Sequence, residues 1–188
     1  KYIAEKAGYR RTVLELGGNA PLIITEDADL ERASSLAVAG ATKNSGQRCT
    51  AVKRILVEES VADALVEKIV QKASILKCGD PSDPKSDIGT VIDEASAILF
   101  ERRVNEAVSL GAKKLYGKQR EGALFPPTVV DHVPWDCELV MEETFGPAIP
   151  IIRVKDIEEA ISVANGTNFG LSSGVCTNRL DDITRFIS

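Results

Sequence analysis

Histidine is almost missing from this chain: His132 is the single one in 188 residues. Cys49, Cys78, Cys137 and Cys176 are widely separated and form no Cys-x-x-Cys pair, which argues against a zinc site, and no metal is expected. The same spacing, with no charged leader ahead of an apolar core, argues against a secreted disulfide scaffold. The four cysteines read as free thiols of a cytoplasmic-type protein. No apolar run approaches the roughly 20 residues that cross a bilayer. Positive charge is not in excess either: the net charge of -5 offers nothing to nucleic acid or an anionic membrane. Aromatics are few, at 5%, but 44% hydrophobic and 27% charged residues suit an α/β globule better than a disordered chain. The length is enough for one well-buried domain.

What is present alternates between strand and helix patterns. Thr12–Leu16 reads as a short strand ended by Gly17-Gly18, and Pro21–Ile24 as a second extended run. Apolar residues at Leu30, Ala33, Leu36, Ala37 and Ala41 predict a helix from Asp29 to Asn44, with Asp27 and Asp29 both able to cap it. A strand at Lys53–Val57 follows, then a helix opened by Ser60 or Val61 and a loop at Cys78–Pro84. Further helices are expected at Asp93–Ser109, Ile157–Asn165 and Leu180–Ser188. Further strands are expected at Lys114–Tyr116, Thr128–Val130, Pro147–Val154 and Ser172–Cys176. Gln119–Gly122 reads as an exposed loop. The alternation predicts an α/β fold: a mostly parallel sheet flanked by helices in three layers, as one domain over residues 1–188.

Three clusters carry chemistry. Asn44-Ser45-Gly46-Gln47-Arg48-Cys49-Thr50 puts a thiol beside a guanidinium, in a polar segment between a helix and a strand, where ligand sites of α/β proteins collect. Cys49 is the candidate nucleophile; an inert buried thiol is the bland alternative. Glu15 is its candidate base, because a carboxylate at the edge of an apolar run is desolvated toward neutrality. The alternative for Glu15 is a solvated strand-end carboxylate. His132, at a strand end, has nothing tying it to Cys49. Met141-Glu142-Glu143-Thr144-Phe145-Gly146-Pro147 stands open between an acidic turn and a site for sugar hydroxyls and a planar ring.

These clusters bear a resemblance. Glu15-Leu16-Gly17-Gly18-Asn19 resembles the glutamate signature of the aldehyde dehydrogenase superfamily, Asn44–Cys49 its cysteine signature, and Glu142–Pro147 its cofactor-contacting segment. Asn165, Gly166, Thr167, Phe169, Gly170 and Leu171 are similar to another of its stretches, which usually has Tyr at Phe169. The resemblance covers essentially the whole chain. It implies that Cys49 attacks the aldehyde carbon to form a thiohemiacetal. Hydride loss to NAD or NADP then leaves a thioester, which water activated by Glu15 hydrolyses. It assigns Glu143 to the nicotinamide ribose, with Phe145, Leu16 and Gly17 beside the cofactor. The Cys49 N–H becomes one oxyanion donor, and no counterpart of the asparagine that usually joins it is found in the chain. Gly17 and Gly18 let the cofactor and Glu15 approach closely.

Arg48 and Thr50 are the candidate substrate contacts. Arg before the cysteine is similar to members acting on phosphonoacetaldehyde first, then glyceraldehyde 3-phosphate and lactaldehyde. The guanidinium either stabilises the thiolate and binds an anionic tail, or makes a structural salt bridge. Transfer of the acyl group to coenzyme A, a cofactor-independent thiol hydrolase and a non-enzymatic binding protein are the rival readings. Glu15 disfavours the first, Glu142–Pro147 the second, and Glu15 with Cys49 the third. The chain starts at Lys1 and stops within a helix pattern, so it is expected to be a catalytic domain cut at both ends. The implied cofactor-binding domain would lie outside it, leaving the isolated chain inactive with little affinity for NAD. The implied whole enzyme is a homo-oligomer, a dimer or tetramer.

Overall fold

The computed structural model describes residues 2–187. A short helix, α1 (Tyr2–Ala7), buries no residue and was not legible in the sequence. The chain then runs without regular structure to β1 (Ala20–Ile24), so the strand expected at Thr12–Leu16 does not form. Among the described residues no strand pairs with this segment. Val13 and Leu16 are 80% and 65% exposed, and an extended run without a ladder partner has nothing to fix it as a strand.

Helix α2 (Leu30–Thr42) is capped by the Asp29 carboxylate, which accepts from the N–H groups of Glu31 and Arg32. Asp27 is no cap: it accepts from Asn178 N at 2.6 Å and from the Thr177 hydroxyl at 3.0 Å. A 3₁₀ turn (Lys43–Gly46) leads toward β2 (Val52–Glu58) and α3 (Glu59–Ser74). After α4 (Glu94–Ser109), capped by Asp93, come β3 (Lys113–Tyr116) and β4 (Thr128–Asp131). A single helical turn, α5 (Glu138–Met141), precedes β5 (Ala148–Val154), and Asp156 caps α6 (Ile157–Asn165). The final strand β6 (Gly174–Cys176) opens two residues later than expected, and α7 (Leu180–Ile187) ends the described chain. Ser188, expected in that helix, lies outside the described residues.

One six-stranded sheet has the order β3-β4-β5-β2-β1-β6. All neighbours pair in parallel except β3 with β4, which run antiparallel at the sheet edge. Period-2 alternation divides the strand side chains between two cores. Ile23, Leu56, Val130 and Ile152 pack beneath α4, α5 and α6, with Phe100, Val104, Leu139 and Ile157. Leu22, Ile24, Ile55, Val57, Val129 and Ile151 pack beneath α2 and α3, with Ala37, Leu65 and Ile69. The three-layer α/β expectation holds. Among the described residues no helix is long and apolar enough to cross a membrane.

Candidate active site

Because β5, β2 and β1 are parallel neighbours, their amino ends lie side by side on one edge of the sheet. The segments entering these strands are the three clusters singled out above. Cys49 lies between a helix and the strand that follows it, as expected, and the site is at the amino edge of the sheet, whereas ligands of open α/β sheets usually bind outside the carboxyl ends. Cys49 sits centrally, before β2, flanked by the Glu143 segment before β5 and the Glu15 segment before β1.

An open cleft of about 870 Å³ is lined by Glu15, Leu16, Gly17, Gln47, Arg48, Cys49, Thr50, Glu143 and Phe145. All eight residues selected from sequence therefore meet there, joined by Gln47. His132 does not line it; its ring stands 3.6 Å from Asp131 on β4.

The walls are stitched together by buried polar contacts. Gly18 N donates to Glu143 Oε1 at 2.9 Å, and the Asn19 amide donates to the Val140 carbonyl at 2.8 Å. From α4, Arg103 donates to the Glu143 carbonyl at 2.7 Å and to Thr144 Oγ1 at 3.1 Å. Arg54, on β2, spends its guanidinium on the carbonyls of Asn19, Val163 and Ala164, tying the start of β1 to the end of α6. Burial pushes this guanidinium down to about 10.

The Gly-Gly pair serves a closer purpose than expected. A Cβ on Gly17 would fall 2.3 Å from Glu143 Oε2, and one on Gly18 would fall 2.3 Å from the Cys49 carbonyl oxygen. Residues of this chain, Glu143 and Cys49, press against the bare backbone there. Glu15 itself is exposed, so within this chain the desolvation expected of a strand end is absent. Cys49 is half-buried and Thr50 exposed.

Arg48 makes no salt bridge among the described residues. Its Nη2 donates to the Gly40 carbonyl in the last turn of α2 at 2.9 Å, a favourable place for a cation. Among the described residues its Nε is buried without a partner. The turn ahead of Cys49 holds three successive left-handed residues, Asn44 (φ 55), Ser45 (φ 53) and Gly46 (φ 73). Ser45 Oγ donates to the Gly89 carbonyl at 3.1 Å and Gln47 Nε2 to the Thr90 carbonyl at 3.3 Å, holding the turn from the α4 side.

Lys53 was missed in sequence. At 3% exposure its ammonium donates to the Gly46 carbonyl and lies 5.2 Å from the centroid of the Phe145 ring. Burial pushes the ammonium down to about 8; Glu143 opposes the fall, Arg48 adds to it and Cys49 opposes it. The signal was there to read: Lys53-Arg54 puts two cations at the head of a buried strand whose next three residues, Ile55 to Val57, are apolar.

Comparison with known proteins agrees with this geometry. The aldehyde dehydrogenase family pattern matches residues 1–188. The chain is 46% identical over 178 residues to the NADP-dependent glyceraldehyde-3-phosphate dehydrogenase of Streptococcus equinus, covering 95% of this chain and 37% of that protein. It is 40% identical over 184 residues to the lactaldehyde dehydrogenase of Methanococcus aeolicus, covering 98% of this chain and 39% of the relative. Glyceraldehyde-3-phosphate dehydrogenase from Methanocaldococcus jannaschii, solved with NADP, superposes with a TM-score of 0.94 at 42% identity, over 99% of this chain and 40% of that one. The chain thus spans about two-fifths of the length of the relatives it matches. With a matching pattern along its whole length and a fold shared with solved members, the chain belongs to the aldehyde dehydrogenase family.

Proposed function

We propose that this chain is the thiol-bearing catalytic part of an NADP-dependent aldehyde dehydrogenase that oxidises a small aldehyde carrying a phosphate or hydroxyl group. The observation that carries the reading is the cleft in which Cys49, Glu15, Glu143 and Phe145 face one another. NADP is preferred over NAD because close relatives are named for it or solved with it. Glyceraldehyde 3-phosphate and lactaldehyde stand ahead of phosphonoacetaldehyde for the same reason.

The residues present suit the nicotinamide end of such a cofactor. Glu143 is held by Gly18 N at one oxygen, and Phe145 is 37% exposed in the same cleft. Glu143, Phe145, Leu16 and Gly17 would hold that end, and the bound cofactor supplies the hydride acceptor. Cys49 Sγ attacks the aldehyde carbon, forming the C–S bond as the carbonyl π electrons move to oxygen; the Cys49 N–H stabilises that oxyanion. Once the carbon has been oxidised, Cys49 carries a thioester. Glu15, exposed on the cleft wall, takes a proton from the water that attacks it. The C–S bond then breaks, the thiolate leaves and a carboxylate is released. A carboxylate base in the cleft favours water over a thiol as the acceptor. Arg48, on the wall of the cleft, brings its positive charge to the anionic tail, and Thr50 flanks it.

Two variants of the full-length protein test this. Glu15→Gln should keep the first-turnover burst of reduced cofactor while steady-state turnover falls about a hundredfold, as for loss of a general base. An unchanged steady-state rate removes Glu15 from the role. Arg48→Met should raise KM for glyceraldehyde 3-phosphate about tenfold or more, the scale of a charged hydrogen bond, and leave lactaldehyde nearly unaffected. Equal effects on both aldehydes would sink the anion reading.

A further inference from the structure

The turn that delivers Cys49 is strained. Asn44 and Ser45 are non-glycine residues in the left-handed region, which costs each about 1 kcal/mol or more. Such a turn persists only where its surroundings determine it. Ser45 and Gln47 fix one side through the Gly89 and Thr90 carbonyls, and Asn44 Nδ2 reaches the Gln47 carbonyl at 3.2 Å. On the other side the Gly46 carbonyl accepts from the buried Lys53 ammonium. That ammonium also lies over the ring of Phe145, which belongs to the opposite wall of the cleft.

Lys53 is therefore attached to both halves of the site at once. It sits four residues after Cys49, at the head of β2, where the register with β1 shifts; Lys53 has no partner of its own there and is bracketed by the pairs Ala20–Val52 and Pro21–Arg54. A buried cation is costly unless it is well paired, and this one is not in a salt bridge among the described residues. The charged groups facing it are Glu143, Arg48 and Cys49, all members of the cleft.

We infer that Lys53 is a positioning residue of this site: its buried ammonium ties the Gly46 carbonyl, three residues before the nucleophile, to the face of Phe145, and so fixes the thiol relative to the wall that takes the cofactor. The inference rests on Cys49 being the nucleophile. A hydrophobic side chain of similar length would fill the space and leave the Gly46 carbonyl unpaired. The turn would then relax and the thiol would lose its alignment, Arg48 and Thr50 on either side shifting with it.

Full-length Lys53→Met, Lys53→Gln and Lys53→Arg separate the possibilities. The measurements are kcat and KM for aldehyde and cofactor, the alkylation rate of Cys49 by iodoacetamide at pH 7 read by peptide mass spectrometry, and a thermal melt. Lys53→Met should stay folded and lose about tenfold to a hundredfold in kcat, the scale of a slight misplacement of a reacting group, with a smaller change in KM for aldehyde. Alkylation of Cys49 should slow, with Cys78 and Cys176 unchanged. Lys53→Arg, which keeps a charged donor, should recover most of the loss, and Lys53→Gln, a neutral donor, only part. Full kcat in folded Lys53→Met overturns the inference. Loss of the fold in Lys53→Met and Lys53→Gln alike also overturns it, because that makes Lys53 a folding residue. If Cys49→Ser instead retains turnover, the reading of the site fails first, whatever the Lys53 variants do.

Discussion

Exchanging one atom, sulfur for oxygen, in Cys49→Ser is expected to abolish aldehyde oxidation in the full-length protein, a loss on the order of 10⁴-fold or more, as found when a covalent nucleophile is removed. The argument is chemical. A hydroxyl has almost no alkoxide at neutral pH, and the cleft offers no histidine to take its proton: His132 lies elsewhere, beside Asp131. Glu15 is exposed across the cleft and suits a water better than a serine hydroxyl. The fold should not notice the change, because Cys49 is only half-buried. Burial pushes the thiols of Cys137 and Cys176 up, so neither holds much thiolate to substitute for it. Cys78→Ser, well outside the cleft, supplies the control and should keep full turnover. Steady-state assays on the two variants, with unfolding curves for each, decide the matter; turnover surviving in Cys49→Ser would end the thioester mechanism.

Much of the architecture was legible because it follows from local rules. Asp29, Asp93 and Asp156 cap helices where the periodicity begins, and alternating apolar residues of β5 divide cleanly between two cores. The candidate site was legible for a different reason: its residues sit within three short segments, each joined to the start of a parallel strand, so topology alone brings them together. What escaped depends on contacts made at long range. Whether Thr12–Leu16 is a strand turns on a pairing partner, which no local pattern encodes. The antiparallel sense of β3 is set at the sheet edge, and the turn of α5 is too short to show a period. Arg54 and Arg103 reach carbonyls of distant segments, and Lys53 lies against the Phe145 ring, so their roles lie in atoms far away in sequence. Arg48 escaped at short range: a salt bridge was the natural bland role, but its partner is the carbonyl of Gly40, eight residues earlier.

The second large effect is expected at Gly46. An alanine there would place its Cβ 2.3 Å from the Gly146 oxygen and 2.8 Å from the Ala41 oxygen, both backbone atoms that cannot swing aside. The position also has φ +73, which an L side chain adopts at a cost of about 1 kcal/mol or more. Gly146 has no room to retreat, because the Phe100 ring is packed against it in the core under α4. The clash must therefore be relieved by moving the turn itself, and Cys49 with it. Gly46→Ala should destabilise the fold by about 3 kcal/mol. In whatever remains folded it should lower kcat about a hundredfold, since the nucleophile is displaced relative to Glu15 and Glu143. Gly122 separates the two causes. It has φ +55 but nothing within 4 Å of the place an added methyl would take, so Gly122→Ala carries the backbone strain alone. It should cost about 1 kcal/mol and leave turnover intact. Urea unfolding and steady-state kinetics on both variants give the comparison. If the two alanines prove equally mild, the close approach of Gly46 to Gly146 does not hold the nucleophile turn; if Gly46→Ala alone fails in both assays, packing against Gly146 is what holds Cys49 in line.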